Sequence, residues 1–367
     1  MVPRGPDENT ARNTPKIRAR RDNPKQEYKM EGQVRNQAGF YQILAESMAD
    51  EEMNSTFSHH AFIFQGFPGI SQSRIILILP FLSLYVMTVM GNGVMIYTIL
   101  VEKTLHSPMY ILISLLFFTN ISYTNTIMPK FLLGLIFNAN QISLIGCLVQ
   151  MFFMYLAGCY ELYLLVLMGL DRYTAIIMPL HYHHIMTKRT MAWLLFYGLL
   201  RNLFLVFPIV YFTSTVQFCR SSIIMNFVCE NMSLLNLGCG DISKIQSIGL
   251  WVRMLVTAMD GTCILTSYLS ILCSVRKTIV GRGREKTWKT CSTHLLVTMM
   301  TFFCGMSSSL VSRMSSHILL DVQNLITLMS FEIPSNAHPI IYGLRTREIR
   351  NSLRKRTKRG GPFFTHS

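Results

Sequence analysis

Residues 75–100 and 104–129 contain no Lys, Arg, Asp or Glu, and an apolar run of that length has few folded fates. About 20 residues of helix cross the hydrocarbon of a bilayer, where the backbone must satisfy its own hydrogen bonds. Five comparable stretches follow: 143–170 with Glu161 as its one charge, 190–211 with Arg201, 245–275 with Arg253 and Asp260, 290–312 with none, and 322–344 with Glu332. The expectation is an all-α membrane protein, a bundle of seven transmembrane helices, the last of them the least apolar. Composition agrees, since 14% charged residues is far below the roughly 25% of a soluble domain. The net charge of +15 does not indicate nucleic acid. Residues 1–52 carry nine basic and nine acidic residues, so the whole excess lies in 53–367, in short segments between the apolar runs.

Those segments set an orientation. The gaps after spans one, three, five and seven carry Lys103, then Arg172, Lys188 and Arg189, then six bases from Arg276 to Lys289, then the cluster Arg345 to Arg359. The opposite gaps hold little beyond Arg220, Lys244 and Arg313. Basic loops stay in the cytoplasm, so the N-terminus is expected outside, the C-terminus inside, and the protein in the plasma membrane. The sequons at Asn54 and Asn231 fall on the expected outer side and are candidate glycosylation sites. Residues 1–52 are polar, without apolar periodicity, and read as a disordered extension. They lack the apolar core of a signal peptide, so the first span is expected to direct insertion. Residues 53–74 form an outer N-terminal segment, 75–344 the helical domain, and 345–367 a basic cytoplasmic tail that opens with a short amphipathic helix.

A seven-helix chain of this orientation suits a receptor, a light-driven pump, or a transporter or channel. Transporters carry paired repeats and interrupted helices, and no internal repeat is visible. The motifs separate these classes. Asp171-Arg172-Tyr173 ends the third span, Pro339-Ile340-Ile341-Tyr342 ends the seventh, Gly91-Asn92 lies in the first, and Cys147 opens the third. Together they resemble the rhodopsin-like G-protein-coupled receptors. More specifically, residues 53–356 resemble the vertebrate odorant receptors. Leu105 to Tyr110 reads LHSPMY against the family LHTPMY, and Met168 to Ile176 reads MGLDRYTAI against MAYDRYVAI. PLHY follows at Pro179 to Tyr182, SY at Ser267-Tyr268, KTWKTCSTHL at Lys286 to Leu295 and a PMLNPIIY-like run at Pro334 to Tyr342. Asp260, eight residues before Tyr268, resembles the fish-like class. The chain departs from the family at Asn120 (usually Asp), Ile177 (Cys), Cys304 (Tyr) and His338 (Asn).

The resemblance implies an odorant receptor that binds a small molecule and activates a heterotrimeric G protein of the stimulatory olfactory type. No Gly-rich phosphate loop, zinc motif or Ser-His-Asp arrangement appears in a plausible context, so neither enzyme activity nor a cofactor is expected. Read alone, Arg172 is an interfacial arginine paired with Asp171. In the family context Asp171, Arg172, Tyr173 and Pro339 belong to the switch, with Tyr268 and Tyr342 receiving Arg172 once it leaves Asp171. Cys147, Cys219, Cys229 and Cys239 lie on the oxidising side, where four cysteines allow three pairings; the resemblance implies Cys147–Cys229 and Cys219–Cys239. The other five cysteines read as small hydrophobes. Glu161, eleven residues before Arg172, lies at mid-membrane, where it reads either as a protonated acid hydrogen-bonded to a neighbouring helix or, with Asn120, as a weak sodium site. Met154, Tyr155, Gly158, Cys159 and Leu162 share one helical face, expected to line a ligand pocket opposite Thr257, Phe303, Ser307 and Ser308. That lining, apolar with a few hydroxyls, suits a small, uncharged, largely apolar molecule. Arg201, Arg253 and Glu332 have no role assigned by sequence.

Overall fold

A computed structural model describes residues 58–69, 74–278, 282–313 and 319–358. The extension 1–52 and the Asn54 sequon lie outside the described residues. Seven long helices follow in chain order: α1 Arg74–Val101, α2 Pro108–Phe137, α3 Leu144–Ile177, α4 Lys188–Ser214, α5 Ser243–Thr278, α6 Arg282–Val311 and α7 Leu320–Arg345. A shorter helix, α8 Arg347–Lys358, comes after them.

The boundaries follow local chemistry. Pro108 opens α2 at a position whose N–H has no helical partner. Ser143 caps α3 by accepting from the Gly146 N–H at 3.1 Å, and Thr187 caps α4 by accepting from the Thr190 N–H at 3.1 Å. Asn138 ends α2 in the left-handed region, φ 56°.

Helices α1 to α6 contain stretches long and apolar enough to cross a membrane. Their outward faces carry Ile76, Leu79, Phe204, Trp251 and Phe303, all at least 70% exposed, as lipid contact requires. α7 is more polar for a structural reason. Its buried side includes Gln323, Asn324, Thr327, Glu332, Asn336 and His338, so its polar groups point into the bundle and leave an apolar face outside.

A small sheet closes one end. β1 Ala61–Phe64 pairs antiparallel with β2 Gln141–Ser143, Ala61 opposite Ser143, and parallel with β3 Ile223–Ile224. Alternation buries Phe62 and Phe64 and leaves Ala61 and Ile63 outward. Phe62 packs with Phe218, Cys147 and Cys229 beneath the sheet. Phe67, Phe81, Phe131 and Phe227 form a second cluster beside it. At the opposite end the largest core joins Leu112, Leu116, Leu164, Leu165, Met168 and Tyr342 with Ile349 of α8. Two disulfides tie down the segment between α4 and α5: Cys147–Cys229, with Cα atoms 5.3 Å apart, and Cys219–Cys239, 5.8 Å apart.

Candidate functional site

A cavity of about 160 Å³ opens among α3, α5, α6 and α7, under the segment that Cys229 anchors. Its α3 wall is the face expected from the helical period: Met154, Tyr155, Gly158, Cys159 and Leu162 all line it. Thr257 of α5 and Ser308 of α6 face them. The Tyr155 hydroxyl accepts from the backbone N–H of Asn231 at 2.9 Å, and the Gln150 side-chain Oε1 accepts from the Cys229 N–H at 3.1 Å. These bonds hold the roof against α3.

Three expectations are corrected here. Phe303 is 75% exposed on the lipid-facing side of α6. The Ser307 hydroxyl donates to the Cys304 carbonyl at 2.8 Å, and neither residue reaches the cavity. Phe302, Gly305, Ser309 and Ser312 line it instead, at i, i+3, i+7 and i+10, a face rotated from the one assumed. Asn231 also lines the cavity; it is buried, and its amide nitrogen donates to Thr213 at 2.7 Å. A glycan would be attached at that nitrogen, so the folded arrangement leaves no room for the sugar expected there.

The third correction concerns charge. The lining was expected to carry only hydroxyls, yet Glu161, Glu230, Arg253 and Arg313 reach the cavity. Arg253 leans against Gly305, where an added Cβ would stand 2.6 Å from its Nη2, so a side chain there would displace the guanidinium. Glu230, in the roof, accepts from the Asn226 amide at 3.4 Å. Burial pushes its carboxyl above the usual carboxylate range, opposed by a hydrogen bond from Ser312 and by the charges of Arg253 and Arg313.

Below the cavity runs a chain of polar groups. The His338 ring presents Nε2 to the Thr301 hydroxyl at 3.1 Å and to Glu161 at 3.9 Å, and Nδ1 to the Asn120 amide at 3.3 Å. Asn120 donates to Asn92 at 2.9 Å. Glu161 and Asn120, paired above as sodium ligands, therefore sit on opposite sides of an imidazole. The ring between them is His338, which stands where the resemblance expects Asn.

At the far end Asp171 is buried, with both oxygens engaged. Arg172 reaches Oδ2 through Nη2 at 2.6 Å, and the Tyr182 hydroxyl donates to Oδ1 at 2.8 Å. Tyr173 packs with Ile271, Val275 and Cys291 between α5 and α6. Tyr268 is hydrogen-bonded to His294 of α6, their rings stacked 5.6 Å apart. The buried Tyr342 meets Phe117 edge-on, with centroids 6.0 Å apart, and Pro339 packs against Gly91 of α1. Sequence reasoning missed Tyr182 and His294, although both lie inside motifs it quoted.

The charges of α4 and α5 also find each other. Arg201 Nη2 lies 2.7 Å from Asp260 Oδ1, and the guanidinium sits 5.5 Å from the centroid of the Tyr163 ring. Glu332 meets Thr88 of α1 at 3.2 Å and the Asn336 amide at 3.3 Å.

Known proteins share this architecture and sequence. The fold matches the crystal structure of squid rhodopsin with a TM-score of 0.61 and 15% identity, covering 75% of this chain and 82% of that one. Human olfactory receptor 52N2 is 33% identical over 307 residues, covering 82% of this chain and 94% of the relative. Human olfactory receptor 52B6 is 33% identical over 299 residues, covering 81% and 89%. The olfactory receptor family model matches residues 81–358. The chain is thus a multi-pass membrane protein and a receptor, and it belongs to the olfactory receptor family.

Proposed function

We propose that this receptor binds a small, mostly apolar odorant in the cavity beside α3 and, when bound, activates a heterotrimeric G protein of the stimulatory olfactory type. The sheet end faces outward from the plasma membrane, and the Asp171–Arg172 end faces the cytoplasm. The cavity carries the ligand half of this reading. A dry pocket of about 150 Å³ accepts a molecule the size of benzene, and this one measures about 160 Å³. Apolar walls from Met154, Leu162, Val206 and Ile209 supply burial, while Arg253, Glu230 and Ser308 offer polar ends to a matching group. The ligand therefore bears at least one polar function on an apolar body.

Coupling follows from the opposite end. Ligand binding shifts an equilibrium between two arrangements of the bundle. The arrangement in hand keeps Arg172 on Asp171; the active one frees it toward Tyr268 and Tyr342. The test is a cyclic-AMP readout in cells expressing the receptor, screened with chemically diverse volatile and water-soluble odorants. Responses are expected from a subset of them, and Arg172→Ala should reach the surface and lose the response. A receptor whose Arg172→Ala variant signals normally refutes the coupling role, and ion or solute flux without a G protein would favour a transporter or channel.

A further inference from the structure

α8 carries charge out of proportion to its length. From Arg345 to Arg359 the sequence holds eight basic residues and one acid, Glu348, and no acid follows to the C-terminus. That one acid lies beside the Tyr110 hydroxyl at the start of α2. The helix is firmly seated. Ile349 is fully buried, and Leu353 packs with it in the core that includes Met95 and Ile99 of α1.

Its bases divide into two groups. Arg350 donates to the Leu344 carbonyl at 3.0 Å, and the Arg356 guanidinium stacks 5.0 Å from the Tyr97 ring centroid. Arg345, Arg347, Arg354 and Lys355 are exposed and make no ion pair among the described residues. Arg347, Arg354 and Lys355 fall at i, i+7 and i+8, one stripe of the helix.

The setting identifies what meets that stripe. Beside α8, the end of α1 exposes Leu100 (64%) and Val101 (53%), and α7 exposes Leu344 (64%). Apolar residues exposed on a membrane helix face acyl chains, so the charges stand where acyl chains give way to headgroups.

We propose that the Arg347–Arg354–Lys355 stripe of α8 is a binding site for a membrane lipid with a multiply phosphorylated headgroup, of phosphoinositide chemistry. Several guanidinium and ammonium groups on one turn-spaced stripe match clustered phosphates better than they match isolated single charges. The site acts through the headgroup, and it does not depend on the identity of the odorant or on G-protein coupling.

The full-length receptor in nanodiscs tests it. Discs of phosphatidylcholine would contain either phosphatidylinositol bisphosphate or phosphatidylserine at equal total negative charge, and lipid retained on the receptor would be counted by native mass spectrometry. The native protein should enrich the phosphoinositide over the serine lipid. Each base at an anionic surface strengthens binding about fivefold, so Arg347→Gln/Arg354→Gln/Lys355→Gln should lose roughly 100-fold. The charge-preserving Arg347→Lys/Arg354→Lys should keep most of the binding, which separates loss of charge from loss of fold. Soluble inositol trisphosphate should compete only weakly, because it lacks the acyl anchor. Equal retention of the two lipids, or unchanged retention by the triple Gln variant, overturns the proposal. So does full competition by the soluble headgroup.

Discussion

Removing Arg201 while leaving Asp260 strands a carboxylate between α4 and α5 at membrane depth. Both side chains are nearly buried, 10% and 5% exposed, with 2.7 Å between Nη2 and Oδ1. Breaking a buried pair by deleting one partner costs about 3–5 kcal/mol, because the survivor keeps its desolvation penalty without the attraction that offset it. An unpaired charge at a helix centre costs about 2.5–3.5 kcal/mol on the insertion scale, so the two arguments converge on about 3 kcal/mol. Arg201 also gives up its contact with Tyr163, about 0.5–2 kcal/mol. The pair itself is incompletely satisfied, since Arg201 Nε and Asp260 Oδ2 have no hydrogen-bond partner. Replacing both residues with leucine should then cost little, within about 1 kcal/mol of the native protein. The assay is a double-mutant cycle on Arg201→Leu and Asp260→Leu, reading the fraction of purified receptor that survives a thermal challenge and the fraction delivered to the cell surface. The expected order places the native and double variants together and both single variants well below. Single variants as robust as the native protein, or a double variant as impaired as the two singles summed, would refute the reasoning.

Cys147→Ser opens a loop with a sequence separation of 82 residues, worth about 4–5 kcal/mol by chain entropy; surface delivery should collapse, and normal surface levels would disprove the anchoring role. Tyr182→Phe removes a hydrogen bond to the Asp171 carboxylate, about 1.5–3 kcal/mol. Basal cyclic AMP should rise roughly tenfold, and an unchanged baseline would mean that Tyr182 does not hold the Asp171–Arg172 pair. Burial raises the Glu230 carboxyl above its unfolded value, so the folded receptor holds that proton more tightly. Its contribution to stability is full below the usual carboxylate range and declines as pH rises through the folded pKa. Glu230→Gln should flatten the pH dependence of thermal stability, and an identical slope in both proteins would exclude the residue. With His338 between Glu161 and Asn120, replacing sodium by a bulky organic cation should leave basal signalling unchanged; a strong effect in the native receptor would contradict that geometry.

The pocket and the switch differ in what holds them in place. The cavity is roofed by a segment fixed by a disulfide, Cys147–Cys229, and by the backbone N–H groups of Cys229 and Asn231 donating to the Gln150 and Tyr155 side chains of α3. The far end includes ties between side chains, Arg172 and Tyr182 on Asp171 and Tyr268 on His294. On the proposed function, an anchored cavity and an end tied by exchangeable side-chain bonds suit a ligand-driven population shift. The polar chain Glu161–Thr301–His338–Asn120–Asn92 lies between them and joins α1, α2, α3, α6 and α7.

Span number, the amphipathic tail helix and the α3 wall of the pocket were legible in the amino-acid sequence. Each follows from a one-dimensional signal: the length of an uncharged run, a charge stripe at helical spacing, or a face at i, i+1, i+4, i+5 and i+8. Which way the other side chains point was not legible. In a soluble helix the apolar stripe marks the buried face, but here lipid and core are both apolar, so Phe302 and Phe303 look alike although one lines the cavity and the other meets lipid. Arg253 and Asn231 stand out as polar residues in the sequence, but the cavity and the partner each one meets depend on packing between segments distant in the chain. Polar partners within the bundle were equally out of reach, since Arg201 meets Asp260 from 59 positions away and Asn120 meets His338 from 218. Only the packing of seven helices decides such pairs, because each buried polar group must find its partner on a neighbouring helix where neither water nor lipid supplies one.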